Sequence, residues 1–223
     1  MAWRSCKLLN NQLSKLDKLC IYMAALRKCV RGFFRGFFFK KRKGLLFVGK
    51  HVTLLNKRSI SVGSRVKFED FSEIQGLSTH GISFADDVTI GRNVEIRPSS
   101  YYGVGDIGFG LKMGKNSSIG PGGYIGCAGS ISIGENVMIG PRVTIIAENH
   151  NFRSQATAIK AQGVTQQGIC IADNVWIGAD VTILDGVTIG SGAVIGATTL
   201  VNKDVPSNSV YLNKRAVYTR TRD

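Results

Sequence analysis

From residue 171 to 206 the apolar positions of the chain recur every six residues, as IADNVW IGADVT ILDGVT IGSGAV IGATTL VNKDVP. An aliphatic residue opens each hexad: Ile171, Ile177, Ile183, Ile189, Ile195 and Val201. The second position is mostly small, and the fifth is usually Val, Ala or Thr. The same frame runs through Met113, Ile119, Ile125 and Ile131, slips by two to Ile133, and continues through Ile139 and Ile145. Earlier it is looser: Val48 and Leu54; Val62, Phe68 and Ile74; Phe84, Ile90 and Ile96. A six-residue period is neither helical nor that of a plain strand. It predicts a parallel β-helix of triangular cross-section. Each hexad makes one face and one corner, and three hexads make one coil. The aliphatic residue points to the axis and stacks on its counterparts in neighbouring coils. Gly or Asn supplies the unusual backbone angles of the corners. Less its loops, the repeat predicts roughly seven or eight coils.

The pattern breaks once in its second half, at Asn149-His150-Asn151, and resumes near residue 170. The chain has only three histidines, His51, His80 and His150. An imidazole titrates near neutrality and suits general-base work. His150 is therefore the candidate catalytic group, with Glu148 and Asn149 beside it. Glu148 or a backbone carbonyl would fix its tautomer.

The net charge of +14 is concentrated at one end. Residues 1–50 hold thirteen Lys and Arg against one acid, Asp17, and the remainder is nearly neutral. Leu9, Leu13, Leu16, Leu19 or Cys20, Met23, and Leu26 or Val30 recur at helical spacing, which predicts an amphipathic helix within 6–31. The stretch RGFFRGFFFKKRKGLLF follows. No apolar run reaches the ~20 residues that span a bilayer, and no signal-peptide pattern is present. A basic, aromatic-rich amphipathic segment predicts peripheral contact with an anionic membrane, or packing on the body or on a sister subunit. No DNA- or RNA-binding motif is present, so nucleic acid is not the expected partner. The five cysteines, at 6, 20, 29, 127 and 170, lack CxxC spacing. They predict buried free thiols in a reducing compartment rather than a disulfide framework or a zinc site. The organisation expected is a basic helical segment at 1–44, a β-helix at 45–212 with a loop excursion at 151–170, and a basic tail at 213–223.

The hexads, the stretch IGPRVTIIAENHNF and the segment DNVWIGADVTILDGVTIGSGAVIGATTLVNKDVP resemble the hexapeptide-repeat acyltransferases, in particular the sugar O-acetyltransferase branch. The resemblance implies an all-β fold, a left-handed parallel β-helix, with the short helical segment before it. It implies acetyl-CoA as acyl donor, no metal, and direct transfer to a sugar hydroxyl; the basic N-terminus points to a glycan or its lipid-linked precursor as the acceptor. It implies His150 as base and a homotrimer whose donor groove lies between two β-helices. Trp176 matches the residue bordering the thioester. Ala179, Ala197 and Asn202 match positions along the pantetheine arm, and Lys203 one near the nucleotide phosphates. Relatives acting on small galactosides carry an Asn about 30 residues before the histidine; here that position falls near Gly120. The tail reads NKRA at 213–216, where the family has Gly-Asn-Pro-Ala. Three other uses of the fold remain to be weighed. An amino-sugar N-acetyltransferase would use the same base. A non-catalytic scaffold would not need His150. A γ-class carbonic anhydrase needs three clustered histidines. The basic N-terminus favours a site at the inner face of the cell membrane, near lipid-linked sugars.

Overall fold

A computed structural model describes residues 10–98 and 107–213. The chain winds into a left-handed parallel β-helix of seven complete coils and a partial eighth, with three sheets as its faces. The first face runs from Lys41–Arg42 to Thr188–Ile189 and the third from Thr53–Leu55 to Leu200–Val201. The second runs from Leu46–Val48 to Val194–Ile195 and ends on Val210–Tyr211. The looser early hexads prove to be in frame. Val62, Phe84, Met113, Ile133, Ile171 and Ile189 stack in register on the first face. Leu54, Ile74, Ile96, Ile125, Ile145, Ile183 and Val201 stack on the third. All are buried. Each such side chain contributes roughly 1.5–3 kcal/mol by leaving water, and the axial column is the core. The fifth positions also point inward: Val175, Val181, Val187, Ala193 and Thr199 are buried.

Two of the three corners turn on a left-handed residue, the first in coils two to seven and the second in all seven. Between the first and second faces these are Arg65, Asp87, Asn116, Asn136, Asn174 and Gly192. Between the second and third they are His51, Phe71, Asn93, Gly122, Arg142, Asp180 and Thr198. Asn and Asp tolerate this conformation because their short side chains bond locally. The larger residues are held by the coil next door. Arg65 makes a two-pronged pair with Asp87 (2.7 and 2.6 Å), and Arg142 with Asp180 (2.6 Å each). His51 stacks on Phe71.

The helix α1 (Lys15–Arg35) starts later and ends later than the apolar spacing predicts. Ser14 caps it: its hydroxyl accepts from Asp17 N, and the Asp17 carboxylate accepts from Ser14 N. That capping box sets the start, so Asn10–Leu13 form a turn outside the helix. Cys6 and Leu9 lie outside the described residues. The C-terminal end passes through Phe33 and Phe34 to the cap at Gly36. The first strand, Lys41–Arg42, already pairs with Ser61 and Val62, so the β-helix begins just before residue 45. Among the described residues, no helix is long and apolar enough to cross a membrane.

Candidate active site

The third corner, between the third and first faces, is the irregular one. There the chain leaves coil five after Thr144–Ile146 and forms a two-stranded antiparallel hairpin. Asn149 pairs with Thr165 and His150 with Val164. The coil resumes at Ile169–Ile171. His150 stands on the ascending strand, so the chain leaves the coil before residue 151. The hairpin tip is organised by Gln162. Its amide donates to Ser154 O (2.9 Å) and Thr157 O (2.7 Å), and its carbonyl accepts from Ser154 N (3.0 Å). Asn151 Nδ2 donates to Gln162 O at 3.1 Å. The hairpin base is held by Asp185 of coil six, whose carboxylate accepts from Gln167 N (2.9 Å) and Gly168 N (2.8 Å).

His150 is exposed and lines an open groove of about 730 Å³ together with Asn149, Asn151, Arg153, Gln162 and Gln167. Neither Glu148 nor a backbone carbonyl is hydrogen-bonded to its ring within the described chain. The charge of Glu148 instead acts on the third-face side chain Tyr124. Burial raises the Tyr124 hydroxyl above its ordinary pKa; the Arg97 charge opposes this, and the charges of Glu148 and Glu95 add to it. Arg97 bonds Glu73 (2.9 Å) and Glu95 (3.1 Å), so a polar cluster runs down the third face toward the histidine. Sequence reasoning missed this cluster, Arg153, Gln162 and Asp185. Gly120 lies elsewhere, at the corner between the second and third faces, where a Cβ would press on Gly140. The coil-four side chain near Glu148 is Tyr124.

The candidate donor residues divide between two places, the second face with its following corner and the third corner. Trp176 is exposed on the second face, in register between Met138 and Val194. Ala179 and Ala197 follow at the corner between the second and third faces of coils six and seven, where Thr198 N donates to Ala179 O at 2.7 Å. Asn202 and Lys203 are exposed at the third corner in coil seven, two coils beyond His150. One chain therefore gathers Glu148, Asn149 and His150, with Asn202 and Lys203 along the same edge. It does not bring Trp176, Ala179 or Ala197 to them. Lys214 and Arg215 of the tail lie outside the described residues.

The cysteines depart from expectation. Cys127 alone of the described four is buried, while Cys20 and Cys170 are exposed and Cys29 is half-buried. All four are free. Burial pushes the Cys127 thiol up to about 12, which removes it as a nucleophile at neutral pH. Among the described residues no group of three His, Cys, Asp or Glu is arranged to hold a metal ion. His80 sits at the third corner three coils below His150, about 14 Å along the axis at ~4.8 Å per coil.

The fold is that of a class of proteins built on stacked hexapeptides. The family profile described as "Bacterial transferase hexapeptide (six repeats)" matches residues 171–203. A protein of Escherichia coli (strain K12), provisionally named colanic acid biosynthesis acetyltransferase WcaF, is 32% identical over 60% of this chain and 69% of its own. The chain belongs to the hexapeptide-repeat transferase family. The galactoside O-acetyltransferase of the same organism is 35% identical over 55% of this chain and 58% of its own length. The match thus spans little more than half of that relative. A mutant of AntD, an N-acyltransferase from Bacillus cereus crystallised with dTDP-4-amino-4,6-dideoxyglucose and coenzyme A, shares the fold at a TM-score of 0.54. It is 17% identical over 86% of this chain and 89% of that one.

Proposed function

We propose that this chain transfers an acetyl group from acetyl-CoA to a hydroxyl of a glycan or lipid-linked glycan precursor, at the inner face of the cell membrane, with His150 as general base. The observation that carries the reading is the placement of His150. It stands on the one described hairpin that interrupts the prism, in an open groove lined with amides and Arg153. The imidazole takes the proton of the sugar hydroxyl as its oxygen attacks the thioester carbonyl. A tetrahedral oxyanion forms and accepts hydrogen bonds from backbone N–H groups at a corner. It collapses with loss of the CoA thiolate, which recovers the proton from the imidazolium. No acyl-enzyme is needed. The relatives named as sugar O-acetyltransferases support the choice of acceptor and donor.

The working unit is a homotrimer. His150 and Trp176 lie on different edges of one chain, and a groove between two chains is bounded by an edge from each. Met138, Trp176 and Val210 form an exposed apolar ladder on the second face, as a subunit contact would require. A monomeric mass by light scattering would sink the trimer. For the reaction, purified protein is given acetyl-labelled acetyl-CoA and a glycan-plus-membrane extract, with His150→Ala beside it. Label in an alkali-labile ester, from the wild type only, is the expected outcome. Alkali-stable label would move the reaction to an amino sugar. Equal label from both proteins would remove His150 as base, and none from either would favour the scaffold reading.

A further inference from the structure

Helix α1 lies across the open axial end of the β-helix. Gly49 N donates to Phe68 O of the next coil at 2.7 Å. The carbonyl of Val48, on the other side of that peptide, therefore points to the open end. Arg31 Nε donates to it at 2.8 Å, satisfying an edge group that no further coil covers. Gly32 makes the contact close, since a Cβ there would clash with the Leu46 carbonyl. Lys28 pairs with Glu69 of coil two, and Arg42 lies over the Phe33 ring. These contacts fix one face of the helix. On a helical wheel the opposite face carries Leu16, Leu19, Met23, Leu26, Val30 and Phe34. All six are exposed, by 42 to 69%. Gly32 is the only buried residue of the helix. Phe37 and Phe38 extend the apolar face beyond its end, also exposed.

We propose that this outward stripe docks on an anionic bilayer surface and stands the prism end-on upon it. This rests on the membrane-facing reading above, and adds which side chains dock and how the active site is aimed. The charge decides the occupant. Lys15 and Arg27 are exposed beside the stripe on the helical wheel, Arg35 and Lys40 are exposed at its C-terminal end, and Asp17 is the only acid of the helix. A second copy would set these cations against their own kind. An anionic bilayer accepts both the apolar face and the surrounding charge. The geometry then acts as a ruler. His150 leaves coil five, four coil steps or about 19 Å beyond coil one. The helix itself adds about 10 Å below. The reacting hydroxyl belongs to a sugar held well off the bilayer, several residues along a glycan, rather than to the sugar attached to the lipid.

Sedimentation of the full chain with phosphatidylcholine vesicles, with and without phosphatidylglycerol, tests the docking without reference to catalysis. Binding is expected only with the anionic lipid, weakening as salt rises. Leu26→Glu and Val30→Glu should each weaken it by at least about tenfold, with unchanged thermal melts showing that they fold. Failure of the wild type to bind, or undiminished binding of the folded variants, overturns the proposal. A fall in mass of the variants by light scattering, with a wild type that ignores vesicles, would make the stripe a subunit contact instead. Lipid-linked acceptors test the ruler: an oligosaccharide should be acetylated in preference to a single sugar on the same vesicles. Equal rates would overturn the end-on geometry. Acetylation of neither these nor any free glycan, in protein that still binds vesicles, would strike the catalytic reading and leave the docking standing.

Discussion

Asp185 offers a test of whether the hairpin must be held to be active. Its carboxylate accepts from Gln167 N and Gly168 N, which are the last residues before the chain re-enters the coil. A charge-assisted hydrogen bond contributes about 1.5–3 kcal/mol when shielded from water. Gln167 is exposed and Gly168 half-buried, so water replaces much of what is lost. We take about 1–2 kcal/mol for the pair, which changes the ratio of docked to displaced hairpin by a factor of roughly 5–30. Asp185→Ala should therefore lower kcat by up to that factor. For a domain of this size the melting temperature should fall by about 2–8 °C. Asp185→Asn keeps one acceptor oxygen and should restore more than half of the lost activity. The pH profile of kcat should stay where it is, because the proposed base is intact and only its placement has changed. Steady-state acetyl transfer and a thermal melt on both variants make the check. Wild-type kcat and melting temperature in Asp185→Ala would refute the claim that this staple positions His150.

Three further outcomes follow from other parts of the molecule. Trp176→Ala should raise KM for acetyl-CoA several-fold more than KM for the acceptor, measured by varying each substrate; an effect confined to the acceptor would remove Trp176 from the donor groove. Ile125→Ala empties a fully buried position of the axial column and should cost about 2–5 kcal/mol by denaturant unfolding. A cost well below 1 kcal/mol would contradict the close-packed column. Cys127 stays protonated in the folded chain up to about 12, whereas an unfolded thiol ionises near ~8.5. Its contribution is thus complete below that value and lost as pH rises toward 12. Cys127→Ala should flatten the alkaline loss of stability seen in unfolding curves taken above pH ~9, and an unchanged slope would contradict the assignment.

The axial column was legible because its signal is one of burial. An inward position must be apolar in every coil, so Ile171, Ile177 and Ile183 announce the period without any knowledge of loops. The corners were less legible. Their requirement is conformational, and it is met by Asn174, Asp180, Gly186 and Gly192 at the fourth place of successive hexads. It is met equally by Arg65 and Arg142 once an aspartate one coil away holds the guanidinium. A backbone requirement satisfied through a partner 22 or 38 residues distant leaves no local pattern. The polar cluster of Glu73, Glu95, Arg97 and Tyr124 was hidden for the same reason, since its members are neighbours only through coil stacking. The start of α1 was legible in principle, as Ser14 and Asp17 spell a capping box. The apolar spacing begins before that box, at Leu9 and Leu13, and so does not mark the start.

The breaks in the hexad frame fall on the edge that carries the proposed acceptor site, and coil packing explains why they fall there. Successive strands on the first and second corners are joined by turns of nearly constant length, because a left-handed residue leaves no slack there. Every large change of length falls at the third corner. Among the described residues it covers the two-residue slips at 56–59 and 127–130, the longer turn at 76–81, and the hairpin between residues 147 and 168. An insertion at that corner costs the column nothing, since Ile125, Ile145 and Ile183 still stack. One edge of the prism is thus free to vary while the other two stay fixed by packing. A site on that edge can change its acceptor by altering loops and the third-face side chains beside them. A groove built against the fixed second face can keep the same donor. On the proposed function, this division accounts for a family match that runs through the last coils at 171–203, and for Tyr124 and Arg97 on the third face of the coils before His150.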